Sequence, residues 1–167
     1  MAADTHDAVS VLQQALELER SGQRFYTKAA ERTVDPKGSE MFRSLASDEV
    51  SHQRAIERQI EALARGEGWV TVEGIDQVEA DLVSPLFPAG RIELEKAVRP
   101  DASDLDALLF ALKIENDSFD LYTKQAKAAQ DPNAKRLFEY LVEAERTHFN
   151  LLMLNYESLS SNAGWVG

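Results

Sequence analysis

The chain carries one pattern twice, at a constant spacing of 96 residues. Ala15-Leu16 recurs as Ala111-Leu112, Glu19 as Glu115, and Tyr26-Thr27-Lys28 as Tyr122-Thr123-Lys124. Asp35-Pro36 recurs as Asp131-Pro132, Phe42 as Phe138, Leu45 as Leu141, Glu49 as Glu145, and His52 as His148. Apolar residues at helical spacing predict helices over 7–33, 36–65, 104–130 and 132–158. Each Asp-Pro fits a helix start, because Asp caps the first turn and Pro suits its first position. Ser103 or Asp101 is the expected cap of the third helix. The repeated unit is therefore a helical hairpin, and two such units bury their apolar faces by pairing with each other. The stretch 66–103, with Pro85, Pro88 and Pro100, reads as a crossover with a short helix around 76–83.

The seam of each helix is broken by polar residues where core residues belong. In the second helix it runs Phe42, Leu45, Glu49, His52, Ile56, and in the fourth Phe138, Leu141, Glu145, His148, Leu152. The first and third helices read Leu12, Ala15, Glu19, Gly22, Tyr26 and Leu108, Ala111, Glu115, Ser118, Tyr122. Alternating steps of three and four keep these positions on one inward face. At about 1.5 Å per residue, folding either hairpin shut brings its two glutamates to the same height. Glu-x-x-His places both side chains on one helix face, so one metal ion can take both.

Four buried carboxylates repel one another and lose hydration, and two divalent cations cancel that charge. Oxygen plus imidazole donors suit iron, manganese or zinc. The expected ligands are Glu19, Glu49, His52, Glu115, Glu145 and His148. Glu49 and Glu145 are placed to bridge two ions, Glu19 and Glu115 to end the set, and each histidine to bind one ion. Tyr26 and Tyr122 are either core aromatics or hydroxyl donors to the glutamates. Gly22 and Ser118 either allow close helix packing or leave room for a small oxidant. Asp48 and Glu143 read as surface charges, and Trp69, Trp165 and His6 carry no functional signal.

Composition narrows the function classes. The 167 residues suffice for one core. With no cysteine, disulfides, iron–sulfur clusters and thiolate zinc sites are excluded. A net charge of −11 argues against nucleic acid or an anionic membrane as partner. No apolar run reaches the ~18 residues of a membrane span, and no secretory signal is visible, so the expected location is cytoplasmic.

The paired glutamates and Glu-x-x-His motifs resemble the rubrerythrin branch of the ferritin-like superfamily, over about 8–65 and 104–158. The resemblance implies an all-α, ferritin-like four-helix bundle with a long crossover between its second and third helices, which run parallel. It implies that the six residues hold two iron ions in a non-haem di-iron centre, and that the chain forms a homodimer. Two departures stand out: there is no four-cysteine rubredoxin domain, and Ser118 occupies the place of a further glutamate. The expected activity is oxidation of ferrous iron by oxygen or hydrogen peroxide, with an external electron donor that the sequence does not identify. The alternatives are a non-catalytic iron-binding or delivery module and a structural zinc or manganese bundle.

Overall fold

A computed structural model describes residues 2–86 and 103–167, with side chains from residue 5 onward. It contains four helices: α1 (Ala2–Arg32), α2 (Pro36–Ala64), α3 (Asp104–Ala128) and α4 (Pro132–Ser160). The starts of the last three are fixed by side-chain caps. Asp35 accepts from Lys37 N at 2.9 Å, Asp131 from Asn133 N at 2.8 Å and Ala134 N at 3.3 Å, and Ser103 from Asp106 N at 3.1 Å. Each satisfies backbone donors that a helix start leaves unpaired. Asp101 lies outside the described residues.

The boundaries differ from expectation at both ends of the chain. α1 begins at Ala2 rather than near residue 7. α4 continues to Ser160. α3 stops early, at Ala128, where Ala129 turns extended (ψ 126°) and Asp131 is left to cap the next helix.

Contacts across the bundle define its topology. Tyr26 meets Glu115 and Tyr122 meets Glu19, so residue numbers rise on α1 as they fall on α3. Met41 meets Asn155 and Asp48 meets His148, so α2 and α4 are likewise antiparallel. With α1–α2 and α3–α4 packed as hairpins, α2 and α3 run parallel on one diagonal of the bundle. The apolar core divides into two clusters, one around Leu12, Ile56, Leu137 and Leu141, the other around Phe42, Leu45, Leu108 and Leu152.

The connector climbs alongside α4. Asn133 donates to Trp69 O at 3.1 Å, Arg136 to Ile75 O at 2.9 Å, and Arg146 to Asp81 O at 2.8 Å and Ser84 O at 3.1 Å. The expected short helix over 76–83 is absent; that stretch has no regular secondary structure and bends at Val83. Its carbonyls are held by Arg146, and the Asp81 carboxylate accepts from Val83 N and Ser84 N at 2.9 Å, which competes with helical pairing. The rest of the crossover, Pro88 and Pro100 included, falls outside the described residues. No helix among those described is long and apolar enough to cross a membrane.

The repeat extends beyond the helices. After each hairpin the chain reverses through positive-φ residues, Gly66 and Gly68 in one copy, Asn162 and Gly164 in the other. Gly68-Trp69-Val70 and Gly164-Trp165-Val166 then fold back onto the helix just completed. Val70 N donates to Gln59 Oε1 at 3.0 Å and Val166 N to Asn155 Oδ1 at 2.9 Å, the two acceptors being buried and again 96 residues apart. Trp165 sits so close over Gly38 that a Cβ there would lie 2.5 Å from its ring.

Candidate metal centre

Between the two apolar clusters lies one polar layer. Glu19, Glu49, Glu115 and Glu145 are at most 2% exposed, His52 3% and His148 5%. The inward seam puts them there, one glutamate from each of α1 and α3 and a Glu-x-x-His from each of α2 and α4. All six residues expected from the sequence come together.

Their ligand atoms fall into two overlapping groups, Glu19, Glu49, His52, Glu145 and Glu49, Glu115, Glu145, His148, each with its atoms within 4.8 Å of one another. Glu49 and Glu145 belong to both. His52 Nδ1 lies 2.9 Å from Glu19, 3.5 Å from Glu49 and 3.7 Å from Glu145. His148 Nδ1 lies 3.3 Å from Glu145, 3.6 Å from Glu115 and 3.7 Å from Glu49. The imidazole rings stack with centroids 5.5 Å apart.

Without cations the layer shares protons unevenly. Burial, then repulsion from the other glutamates, pushes Glu49 and Glu145 well above the usual carboxylate range. Burial also opposes ionisation of Glu19, but hydrogen bonds from Glu49 and His52 outweigh it and hold that carboxyl at about 2. Glu115 is lowered too, its burial being outweighed by the close approach of Glu145 and of the His148 ring. His148 is raised well above its ordinary value: burial opposes this, and its hydrogen bond to Asp48 and the nearby negative charge of Glu115 prevail.

Proton sharing does not satisfy the layer. Glu115 Oε2, both Glu145 oxygens and His148 Nδ1 are buried with no hydrogen-bond partner. Orphaned buried acceptors are costly and rare, and here they converge on one spot. Two divalent cations would meet every one of these atoms and neutralise four carboxylates, so the donor set fits a dimetal centre.

The tyrosines resolve towards the hydroxyl role. Both are fully buried, and each reaches across to the other hairpin: Tyr26 donates to Glu115 Oε1 and Tyr122 to Glu19 Oε1. This fixes the two glutamates that belong to one group each. A Cβ at Gly22 would stand 3.5 Å from Glu49 Cδ, so the missing side chain leaves free volume beside a shared carboxylate. Ser118 is buried at the equivalent place in α3.

Two residues read as surface charges have further duties. Asp48 accepts from His148 Nε2 at 3.1 Å, which turns Nδ1 of that ring into the layer. Its repeat counterpart is Ala144, so His52 has no such carboxylate from the equivalent position. Glu143 accepts from Asp81 N at 3.1 Å and so ties the connector to α4. A cleft of about 380 Å³ opens on the histidine edge of the layer, lined by His52, His148, Tyr140 and the carboxylates of Asp48, Asp76 and Glu143.

A family model described as Rubrerythrin matches residues 10–156. No curated protein and no solved structure matches the chain.

Proposed function

The chain belongs to the rubrerythrin family, and from that footing we propose that it is a di-iron oxidoreductase that oxidises ferrous iron with oxygen or hydrogen peroxide. The observation that carries this reading is the pair of four-residue donor groups sharing Glu49 and Glu145. Glu19 and His52 would complete one iron position, and Glu115 and His148 the other. A pair of iron ions held there would supply the electrons that reduce the oxidant.

The chain's own contribution is positioning and proton handling. Glu49 and Glu145 hold their protons in the metal-free layer, and both must release them on loading. Tyr26 and Tyr122 keep Glu115 and Glu19 aimed inward. The apolar clusters on either side exclude bulk water, and the acidic cleft offers cations and small oxidants an approach. A homodimer is part of the same proposal and is checked by sedimentation.

The test is anaerobic loading with ferrous iron followed by oxygen or peroxide. The wild-type chain is expected to bind two ferrous ions and consume oxidant, while Glu49→Ala and His52→Ala lose that consumption. Unchanged turnover in either variant refutes the mechanism. Ferrous iron bound and released unoxidised selects a delivery role instead, and retention of zinc or manganese in native preparations selects a structural one.

A further inference from the structure

The two glutamate-bound tyrosines each begin a line of rings that ends at a tryptophan. In one, Tyr26 stacks on Phe42 (centroids 6.1 Å apart, 22°) and Phe42 meets Trp165 edge-on (5.8 Å, 77°). In the other, Tyr122 stacks on Phe138 (6.4 Å, 30°) and Phe138 meets Trp69 edge-on (5.9 Å, 67°). All three members of one line lie 96 residues from their counterparts in the other. The chain has only two tryptophans, and both close such a line.

Filling a core does not require this order. Aliphatic side chains surround both lines and serve packing equally well. What aromatic order adds is redox chemistry, since phenol and indole are the side chains here that give up one electron most readily. Each phenol sits at the polar layer with a carboxylate already accepting its proton. Each indole is less deeply buried than its phenol, Trp165 at 7% exposure and Trp69 half-buried against 0% for both tyrosines. A single phenylalanine in contact with both partners separates them.

We propose that Tyr26–Phe42–Trp165 and Tyr122–Phe138–Trp69 are paired one-electron routes between the polar layer and the surface of the bundle. The physiological use of these routes rests on the oxidoreductase reading above. When a peroxide-derived oxidant removes one electron from the tyrosine, the phenolic proton passes to the bonded glutamate. One electron then crosses from the indole through the phenylalanine, and the proton returns from glutamate to phenoxyl oxygen. The indole radical cation releases its N–H proton to solvent. A one-electron, one-proton donor of the ascorbate class restores the indole. Electrons thus reach the layer from small reductants without a cysteine-bound metal domain.

The test uses the full-length protein free of metal, so failure of the di-iron reading would leave its outcome untouched. Pulse radiolysis with azide radicals oxidises the indoles, and transient absorption follows indolyl and tyrosyl radicals. The expected result is indolyl decay matched by tyrosyl growth, first order and independent of protein concentration, towards an equilibrium between the two radicals. Because one path carries the electron both ways, reduction of the indolyl radical by added ascorbate then empties the tyrosyl radical through it. In the Tyr26→Phe/Tyr122→Phe double variant that growth is lost, although Tyr140 and Tyr156 remain. In Phe42→Leu/Phe138→Leu it slows. In Trp69→Phe/Trp165→Phe, tyrosyl radical forms only by direct attack, with no indolyl precursor. Absence of first-order growth in the wild type, or its survival unchanged in the tyrosine double variant, overturns the proposal.

Discussion

Replacing Asp48 by alanine should weaken one metal position and leave the other alone. Asp48 holds His148 through Nε2, whereas the equivalent place beside His52 is Ala144, so the repeat is broken at this one support. Loss of a carboxylate behind a histidine ligand costs about 10–100-fold in metal affinity. The Asp48 side chain is 53% exposed, which lets water compete for the imidazole and places the effect near the lower end. About tenfold corresponds to about 1.4 kcal/mol. For the same reason the metal-free fold should lose no more than about 1 kcal/mol. The assay is anaerobic competition of ferrous or cobaltous ions against a chelator of known affinity. Two binding steps are expected in the wild type, with one shifted about tenfold in Asp48→Ala. Ala144→Asp should strengthen the other step. Equal weakening of both steps, or none, would show that the hydrogen bond does not orient a ligand.

The metal-free protein should lose thermal stability as pH rises above the ordinary carboxylate range and then past the ordinary imidazole value. The folded-state pKa values of Glu49, Glu145 and His148 all lie above their ordinary values, so the stability they lend is complete below those values and disappears as pH climbs through the folded ones. Glu19 and Glu115 shift downward, so the stability they lend is complete above the ordinary carboxylate range and is lost only as pH falls below it, outside this window. Metal-loaded protein should show the opposite trend, because its ligands must be deprotonated; parallel melting curves with and without metal would contradict the assigned protonation. Tyr26→Phe should cost about 1–3 kcal/mol in chemical denaturation, since Glu115 then loses a donor while its Oε2 is already unpartnered; a neutral result would mean that the carboxylate relaxes to another partner. Gly38→Ala should cost about 1–3 kcal/mol through collision with the Trp165 ring, and shortening that ring by Trp165→Leu should relieve part of it; additive losses would mean that the clash is absent.

What the sequence disclosed followed from periodicity. Glu19, Glu49, His52 and their counterparts interrupt an apolar seam at a fixed step, and a helix converts that step into a direction and a height. The Asp-Pro starts were equally plain, because capping is local chemistry. The Gly-Trp-Val clips obey the same 96-residue spacing but lie beyond the last apolar step of each hairpin, where helical periodicity carries no signal. Matching Gln59 with Asn155, and Trp69 with Trp165, would have revealed them. Asp48 left no trace: it sits on a half-exposed helix face, and its copy is an alanine. Nor could the segment 76–83 be read locally, because its conformation is dictated by Arg146 and Glu143, some sixty residues further along the chain.

The crossed tyrosines make the polar layer a property of the pair of hairpins and of neither one alone. Tyr26 secures a glutamate of the second hairpin, and Tyr122 one of the first. Each of the two donor groups also draws on glutamates from both. Residues 1–86 and 103–167 made as separate peptides would therefore find each other only as well as their shared layer is satisfied, and metal would act as the ligand of their association. Occupancy and assembly become a single equilibrium, in which withdrawing the ions loosens the seam between the halves.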